Sequence, residues 1–172
     1  MPDLLTHVLI GASIAVLLVR DRNKKSMFFI IFGSIIIDSE RPFTWFIEIA
    51  QYPLQGLTDG FHSILGAVLL SFAAASLFDD PSIDRKTRFF LLLIGSSSHL
   101  LMDMTMGPWT EQGLFLLFPL RIPFSFHLFW SDYPFYPLIG IAVFLVALSI
   151  DCTYRYVRSR MYPSSRTTLV SE

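Results

Sequence analysis

The segment FFLLLIGSSSHLLMDM, residues 89–104, decides the fold of this chain, because it is apolar and carries no charge until its last turn. Four further apolar segments have the same character, and they run over 4–19, 27–37, 61–78 and 136–150. Each contains few or no charged residues, as helices that span a bilayer do. The sequence therefore predicts an all-α integral membrane bundle with about five membrane helices, some of them short.

The composition supports a single membrane domain. Of the 172 residues, 53% are hydrophobic, and the mean hydropathy of +0.55 is too apolar for an ordinary soluble domain. The basic residues are split among three short segments, so they form no patch that would suit a nucleic acid. Cys152 is the single cysteine, so no internal disulfide is expected and its role is packing. We expect one membrane-embedded domain over 1–162 and a disordered cytoplasmic tail over 163–172.

The basic residues also predict the orientation. Of the 13 Lys and Arg residues, only Arg41 and Arg121 fall in the two long loops, over 38–60 and 104–135. The others follow the first, third and fifth apolar segments. The positive-inside rule places those basic ends in the cytoplasm. The N-terminus and both long loops are then extracytoplasmic, and the C-terminus is cytoplasmic.

The two outer loops are rich in aromatic residues. They include Trp45, Phe46, Tyr52, Trp109, Phe124, Phe126, Trp130 and Tyr133. Trp and Tyr prefer the headgroup level of a bilayer, so both loops are expected to lie on or partly in the membrane. There they form a lid over a site, an aromatic belt that anchors the protein, or both.

Five ionisable residues from separate places in the sequence reach one depth in this topology. His99 and Asp103 are spaced i and i+4, so they share one face of a helix. The others lie at the outer ends of the first three apolar segments and are His7, Asp38 and His62. Ionisable groups in a membrane are costly unless they are paired, hydrated or bound to a metal. One or two divalent ions would neutralise all five residues, and this donor set suits zinc, with manganese or iron also acceptable.

Two further carboxylates, Glu40 and Asp59, lie close to this set in the sequence and are candidate proton acceptors. Asp59 also suits the N-cap of the following helix, which is the simplest interpretation, or a hydrogen bond that orients His62. A salt bridge with Arg41 would also account for Glu40, and Asp38, at the membrane end, is the better ligand candidate of the two carboxylates. Ser63 is a weaker candidate, as a nucleophile, because neighbours in the sequence of a helix do not face each other.

These residues resemble a known family, and the resemblance extends over most of the chain. Four motifs carry it: Thr6-His7, Asp38-Ser39-Glu40, Phe61-His62-Ser63, and Ser98-His99 followed by Asp103. They look like motifs of the YdjM-like family, whose members are described as membrane-bound metal-dependent hydrolases and as LexA-binding, inner-membrane-associated hydrolases. Glu40 and Arg41 stand where the family motif has aspartate and histidine. The resemblance implies a metal site and hydrolase activity.

The order of the candidate ligands is also similar to that of the zinc-dependent phospholipase C and single-strand nuclease group. Enzymes of that group hold a zinc cluster in a helical site and cleave phosphodiesters. This similarity rests on the order of the ligands and on one spacing. It implies a principal site formed by Asp38, His62, His99 and Asp103, and a second ion held by Asp103 and His7.

We therefore expect a membrane-bound metal-dependent hydrolase that acts on a lipid or lipid-linked phosphoester at the outer membrane face. One alternative is a non-enzymatic metal-binding membrane protein, such as a small transporter or an assembly factor. Another is a structural bundle whose polar residues only pair with one another. The inner halves of the first four segments offer few polar groups beyond hydroxyls such as those of Ser13, Ser34, Ser71 and Ser96, which gives little support to a transport path.

Overall fold

The computed structural model describes residues 4–41, 55–105, 114–126 and 135–161. These residues form six α-helices and one short 3-10 helix. They are α1 (Leu4–Leu18), α2 (Lys24–Ile36), the 3-10 helix (Ile37–Glu40), α3 (Gln55–Phe61), α4 (Ile64–Leu77), α5 (Arg85–Thr105) and α6 (Tyr136–Met161). The all-α prediction is confirmed. Much of both aromatic loops and the whole tail over 163–172 lie outside the described residues, so the domain boundary stays a prediction.

The helices pack in the order α6, α1, α2, α5 and α4, and the contact between α2 and α5 is the most extensive. Apolar side chains fill the space between α2, α4 and α5. This core contains Phe29, Ala74, Ala75, Ile83 and Leu92, all buried. The central position of α2 and α5 matters for the candidate site. Asp38 lies in the 3-10 helix that follows α2, and His99 and Asp103 lie near the end of α5.

Glycines allow α2 and α5 to approach each other at backbone distance. A Cβ atom on Gly95 would collide with the carbonyl oxygen of Ile30 and would lie 2.7 Å from the backbone nitrogen of Ser34. In the same way, a Cβ atom on Gly33 would collide with the carbonyl oxygen of Leu92. Small residues at such contacts are common where membrane helices associate. The close contact fixes the position of the α5 face that carries His99.

Within the described ranges, α6 is the one helix that is long and apolar enough to cross a bilayer, as judged by length and composition. At a rise of 1.5 Å per residue, it spans about 39 Å. The helices α1 and α4 are apolar but shorter, with 15 and 14 residues. Large apolar side chains are exposed on all three helices, and they include Leu18, Leu69, Leu77, Leu138 and Val146. Such a surface suits contact with lipid, and a bundle of five spans stays a prediction.

The end of α6 differs from the predicted boundary. The apolar segment ends at residue 150, whereas the helix continues for three more turns to Met161. Asp151 accepts hydrogen bonds from Arg155 Nε on both carboxylate oxygens, at 2.9 and 2.8 Å. Pairs of opposite charge at this spacing stabilise a helix, and arginine itself favours helix. A polar sequence therefore extends an apolar helix.

The apolar segment predicted over 61–78 is divided in the structure. The helix α3 ends at Phe61 and α4 begins at Ile64. Between them, Ser63 Oγ accepts a hydrogen bond from the backbone nitrogen of Gly66 at 3.0 Å, so Ser63 is the N-cap of α4. Asp59 lies inside α3, and the capping role predicted for it is wrong. The division places His62 at a turn between the two helices.

Candidate metal centre

The five residues predicted as ligands come from four parts of the chain, and their side chains form one buried cluster. They are His7 on α1, Asp38 on the 3-10 helix, His62 between α3 and α4, and His99 and Asp103 on α5. None of the five exposes more than 6% of its surface. The structure thus brings together residues that are up to 96 positions apart in the sequence. The sequence predicts this grouping, because all five residues are expected to lie at one depth in the membrane.

Two imidazole nitrogens of this cluster each lie close to the same two carboxylate oxygens. His62 Nε2 lies 3.5 Å from Asp38 Oδ1 and 3.8 Å from Asp103 Oδ2. His99 Nε2 lies 3.8 Å and 3.1 Å from the same two oxygens. Ligands about 2.0 to 2.1 Å from a tetrahedral zinc ion are about 3.3 to 3.4 Å from one another. The four nitrogen–oxygen separations are close to this value.

Backbone carbonyl groups orient both imidazoles. His99 Nδ1 lies 2.7 Å from the carbonyl oxygen of Ser34, and His62 Nδ1 lies 3.2 Å from that of Thr58. Because a carbonyl oxygen only accepts hydrogen bonds, each Nδ1 carries the proton and donates it. In the neutral imidazole with this tautomer Nε2 carries the lone pair, and in both residues Nε2 is the nitrogen that lies close to the carboxylates. Histidines that bind metals are held in this way by a partner on their other nitrogen.

Asp103 is buried without the hydrogen bonds that a carboxylate requires. Among the described residues, neither of its carboxylate oxygens has a hydrogen-bond partner, and His99 Nε2 has none either. A buried, unpaired carboxylate is strongly unfavourable, and a lone pair that faces it adds repulsion. Arg41 Nε donates to Asp38 Oδ1 at 2.9 Å, which offsets the charge of that carboxylate. A bound cation would supply the missing partner of Asp103.

His7 lies at the edge of this arrangement. Its Nε2 is 3.5 Å from Asp103 Oδ1, the oxygen on the other side of that carboxylate, and its ring stacks on that of His99 with centroids 3.7 Å apart. Among the described residues, two groups of buried side chains lie close enough to hold a metal ion: Asp38 with His62 and His99, and His7 with His99 and Asp103. Asp103 directs its two oxygens to different histidines, so it is placed between the two positions.

The two candidate proton acceptors lie outside these groups. Glu40 is buried, and its Oε1 is 3.7 Å from His62 Nδ1, on the side of the imidazole that faces away from the other ligands. Burial raises the pKa of the Glu40 carboxyl. Burial likewise raises the pKa of the Asp59 carboxyl, while the positive charge of Arg121 acts in the opposite direction. Both groups are close to the cluster and neither is one of its ligands.

Sequence reasoning missed the two carbonyl groups that orient the histidines. Ser34 and Thr58 contribute through backbone oxygens, so their side chains gave no signal. Arg41 was considered as a partner of Glu40, and the structure gives it a hydrogen bond to Asp38, three residues earlier. The spacing of three residues between Asp38 and Arg41, which makes them neighbours on a helical turn, was the sequence signal for this contact.

Comparison with known proteins identifies the family. A family model described as YdjM inner membrane protein matches residues 1–169, so the match includes every residue of the buried cluster. No curated protein and no solved structure matches the chain significantly. Because the matched region is almost the whole sequence, the chain belongs to the YdjM family of inner membrane proteins.

Proposed function

We propose that this protein is a membrane-bound metal-dependent hydrolase that acts on a lipid or lipid-linked phosphoester. One observation carries the proposal: two histidines direct Nε2 lone pairs at two buried carboxylates, at the distances given above. A purely structural cluster would satisfy the buried carboxylate oxygens with hydrogen bonds. Here both oxygens of Asp103 lack such bonds within the described part of the chain. A divalent cation would satisfy the oxygens and the nitrogens together.

The donor set favours zinc, and manganese is also acceptable. The principal ion would be held by Asp38, His62, His99 and Asp103, and a second ion by His7 and Asp103. When bound, such an ion polarises a phosphoryl or acyl oxygen and lowers the pKa of a coordinated water. The chain's contribution is to orient the two imidazoles through backbone carbonyls and to balance the charge of Asp38 with Arg41.

A lipid substrate is favoured by the surroundings of the cluster. The segment over 114–126 is tied to the helices near the site, because the backbone nitrogen of Ile64 donates to Leu116 O at 2.9 Å and that of Phe126 donates to Met104 O at 2.8 Å. Apart from Arg121, its exposed side chains are apolar, and they include Leu117, Leu120, Ile122 and Phe126. We propose that this segment is part of a lid in contact with the membrane.

We also propose that five helices, α1, α2, α4, α5 and α6, cross the inner membrane, with the N-terminus and the metal centre extracytoplasmic and the C-terminus cytoplasmic. The basis is the distribution of basic residues together with the position of the cluster. His7 lies at the start of α1 and Asp103 at the end of α5, so the site is at one end of the bundle. Apart from Arg41 and Arg121, the basic residues of the described part of the chain lie at the other end.

Cysteine labelling in intact cells tests this orientation. In a Cys152→Ser background, Ser159→Cys should be shielded from an impermeant thiol reagent, and Arg121→Cys should react. The positive-inside rule gives this expectation, since Ser159 lies among arginines near the end of α6. Labelling after lysis provides the control for intrinsic reactivity. Reaction at position 159 before lysis, with protection at 121, would reverse the orientation and place the site in the cytoplasm.

Hydrolysis of a panel of lipid phosphoesters by purified protein tests the activity itself. With zinc or manganese added, the wild-type protein should cleave at least one member, and a chelator should abolish the cleavage. Glu40→Gln or Asp59→Asn should retain the metal and lower turnover by roughly 100- to 10,000-fold, because a proton acceptor acts without ligating the ion. Whichever variant behaves so identifies the acceptor.

The control is Asp79→Asn, which changes an exposed carboxylate at the opposite end of the bundle and should leave turnover unchanged. If the wild-type protein binds metal in full but cleaves no member of the panel, the hydrolase proposal fails for that substrate class. The non-enzymatic metal-binding protein, a transporter or assembly factor, would then be the better description. Loss of metal in the Glu40 variant would assign Glu40 to the ligand set instead.

A further inference from the structure

A second cavity lies at the end of the bundle opposite the metal centre, between the end of α1 and the last turns of α6. Its volume is about 520 Å³. Polar and apolar side chains both line it, among them Arg20, Arg155, Arg158, Tyr154, Leu17 and Ile150. The proposed hydrolase makes no use of this cavity, and the combination of its walls is unusual for a simple helix contact.

The cavity carries an excess of positive charge. Asp151 is the carboxylate in its wall, and this group is already paired: Arg22 Nη2 lies 2.5 Å from Asp151 Oδ2, and Arg155 Nε bonds to both carboxylate oxygens. Arg20 lies over the ring of Tyr154, with the guanidinium carbon 5.8 Å from the ring centroid. Asp151 therefore pairs with Arg22 and Arg155, and not with the guanidinium groups of Arg20 and Arg158. A ligand with negative charge would complete this site.

The apolar wall restricts the kind of anion. Leu17 and Ile150 expose 44% and 52% of their surfaces beside the arginines, and Tyr154 exposes 46%. A small soluble anion gains nothing from such a wall, whereas a phospholipid presents a phosphate next to its glycerol and acyl chains. Basic pockets between helices at the membrane surface are known to bind anionic headgroups. We infer that this cavity binds an anionic phospholipid, with the phosphate at Arg20 and Arg158 and the acyl chains along Leu17 and Ile150.

The inference is separate from the positive-inside rule. That rule concerns the sum of basic residues at one end of the bundle, and it treats every lysine and arginine there alike. Lys86 and Arg160 also lie near this end, and neither lines the cavity. A bound lipid depends on the two arginines of the cavity, while diffuse attraction to an anionic surface depends only on their number.

Thermal unfolding of the full-length protein in detergent tests the inference. Phosphatidylglycerol should raise the melting temperature by several degrees, and phosphatidylcholine should not. The double variant Arg20→Gln, Arg158→Gln should lose most of this shift and bind phosphatidylglycerol about tenfold more weakly or worse. The matched control is Lys86→Gln, Arg160→Gln, which removes the same charge from the same end. It should keep the shift.

Three outcomes would overturn the inference. An equal loss of the shift in both double variants would mean diffuse electrostatic attraction without a site. An equal shift with phosphatidylcholine would mean that the charge has no role. An equal shift with inorganic phosphate at the same concentration would mean a site for a soluble anion. If the cavity double variant fails to fold, Arg158→Gln alone, at an exposed position, gives the same comparison against Arg160→Gln.

Discussion

Replacement of Asp103 by asparagine should abolish stoichiometric metal binding, and we expect no larger effect from any other single change in the cluster. Asp103 Oδ2 faces both His62 and His99, and Oδ1 faces His7. The amide keeps the shape of the side chain but loses the charge that neutralises a divalent ion. Loss of a residue that only orients a ligand typically lowers affinity 10- to 100-fold, so loss of Asp103 should exceed about 100-fold.

Metal analysis of protein purified in detergent measures this effect, together with the change in melting temperature on addition of zinc or manganese. Asp151→Asn is the matched control. It alters a buried carboxylate on α6, at the end of the bundle opposite the cluster, and should leave the metal content intact. Full metal content in the Asp103 variant would exclude Asp103 as a ligand. If the wild-type protein binds neither ion and gains no stability from either, the cluster is a structural one.

Replacement of Gly95 by alanine should give the largest loss of stability. The added methyl group meets backbone atoms of α2 at Ile30, Gly33 and Ser34, and none of them is a flexible side chain that moves aside. Overpacking of a well-filled interface costs about 1–3 kcal/mol and sometimes more. A displaced α2 would also pull the Ser34 carbonyl away from His99 Nδ1, so we expect weaker metal binding in the same variant.

Gly60→Ala provides the control for the Gly95 variant. The nearest atom to a Cβ at Gly60 is on the Phe118 ring at 3.7 Å, an ordinary van der Waals contact. Thermal unfolding of the two variants should therefore differ clearly, with the melting temperature of Gly60→Ala close to that of the wild type. Equal stability of Gly95→Ala and the wild type would mean that α2 and α5 do not pack at backbone distance in the membrane.

The sequence was sufficient to predict that the three histidines and two aspartates lie together, because its signals are local. Helical periodicity placed His99 and Asp103 on one face, and the ends of apolar runs marked the depth of His7, Asp38 and His62. In helices that span a bilayer, the position of a residue along its apolar segment sets its depth in the membrane. Residues at the outer ends of different segments are therefore expected at the same depth. The metal, the activity and the five-span topology are predictions that require the experiments above.

The features that sequence reasoning missed depend on contacts between distant parts of the chain. The break between α3 and α4 is fixed in part by the Leu116 carbonyl, which accepts from the backbone nitrogen of Ile64. The extension of α6 is supported by Arg22, which reaches Asp151 from 129 positions away. No local pattern encodes either contact, because the partner residue lies in another element.

The unequal lengths of the apolar helices have a consequence for the membrane itself. With 15 and 14 residues, α1 and α4 are each about 21 to 23 Å long, well short of a hydrocarbon core of about 30 Å. A bilayer that surrounds such helices becomes thinner to avoid exposing its acyl chains, at a modest free-energy cost. Lipid headgroups beside α1 and α4 would then sink toward the bundle, which would bring their phosphodiester groups nearer to the depth of the buried histidines. Hydrophobic mismatch would in this way present the substrate, and thicker bilayers should slow the reaction.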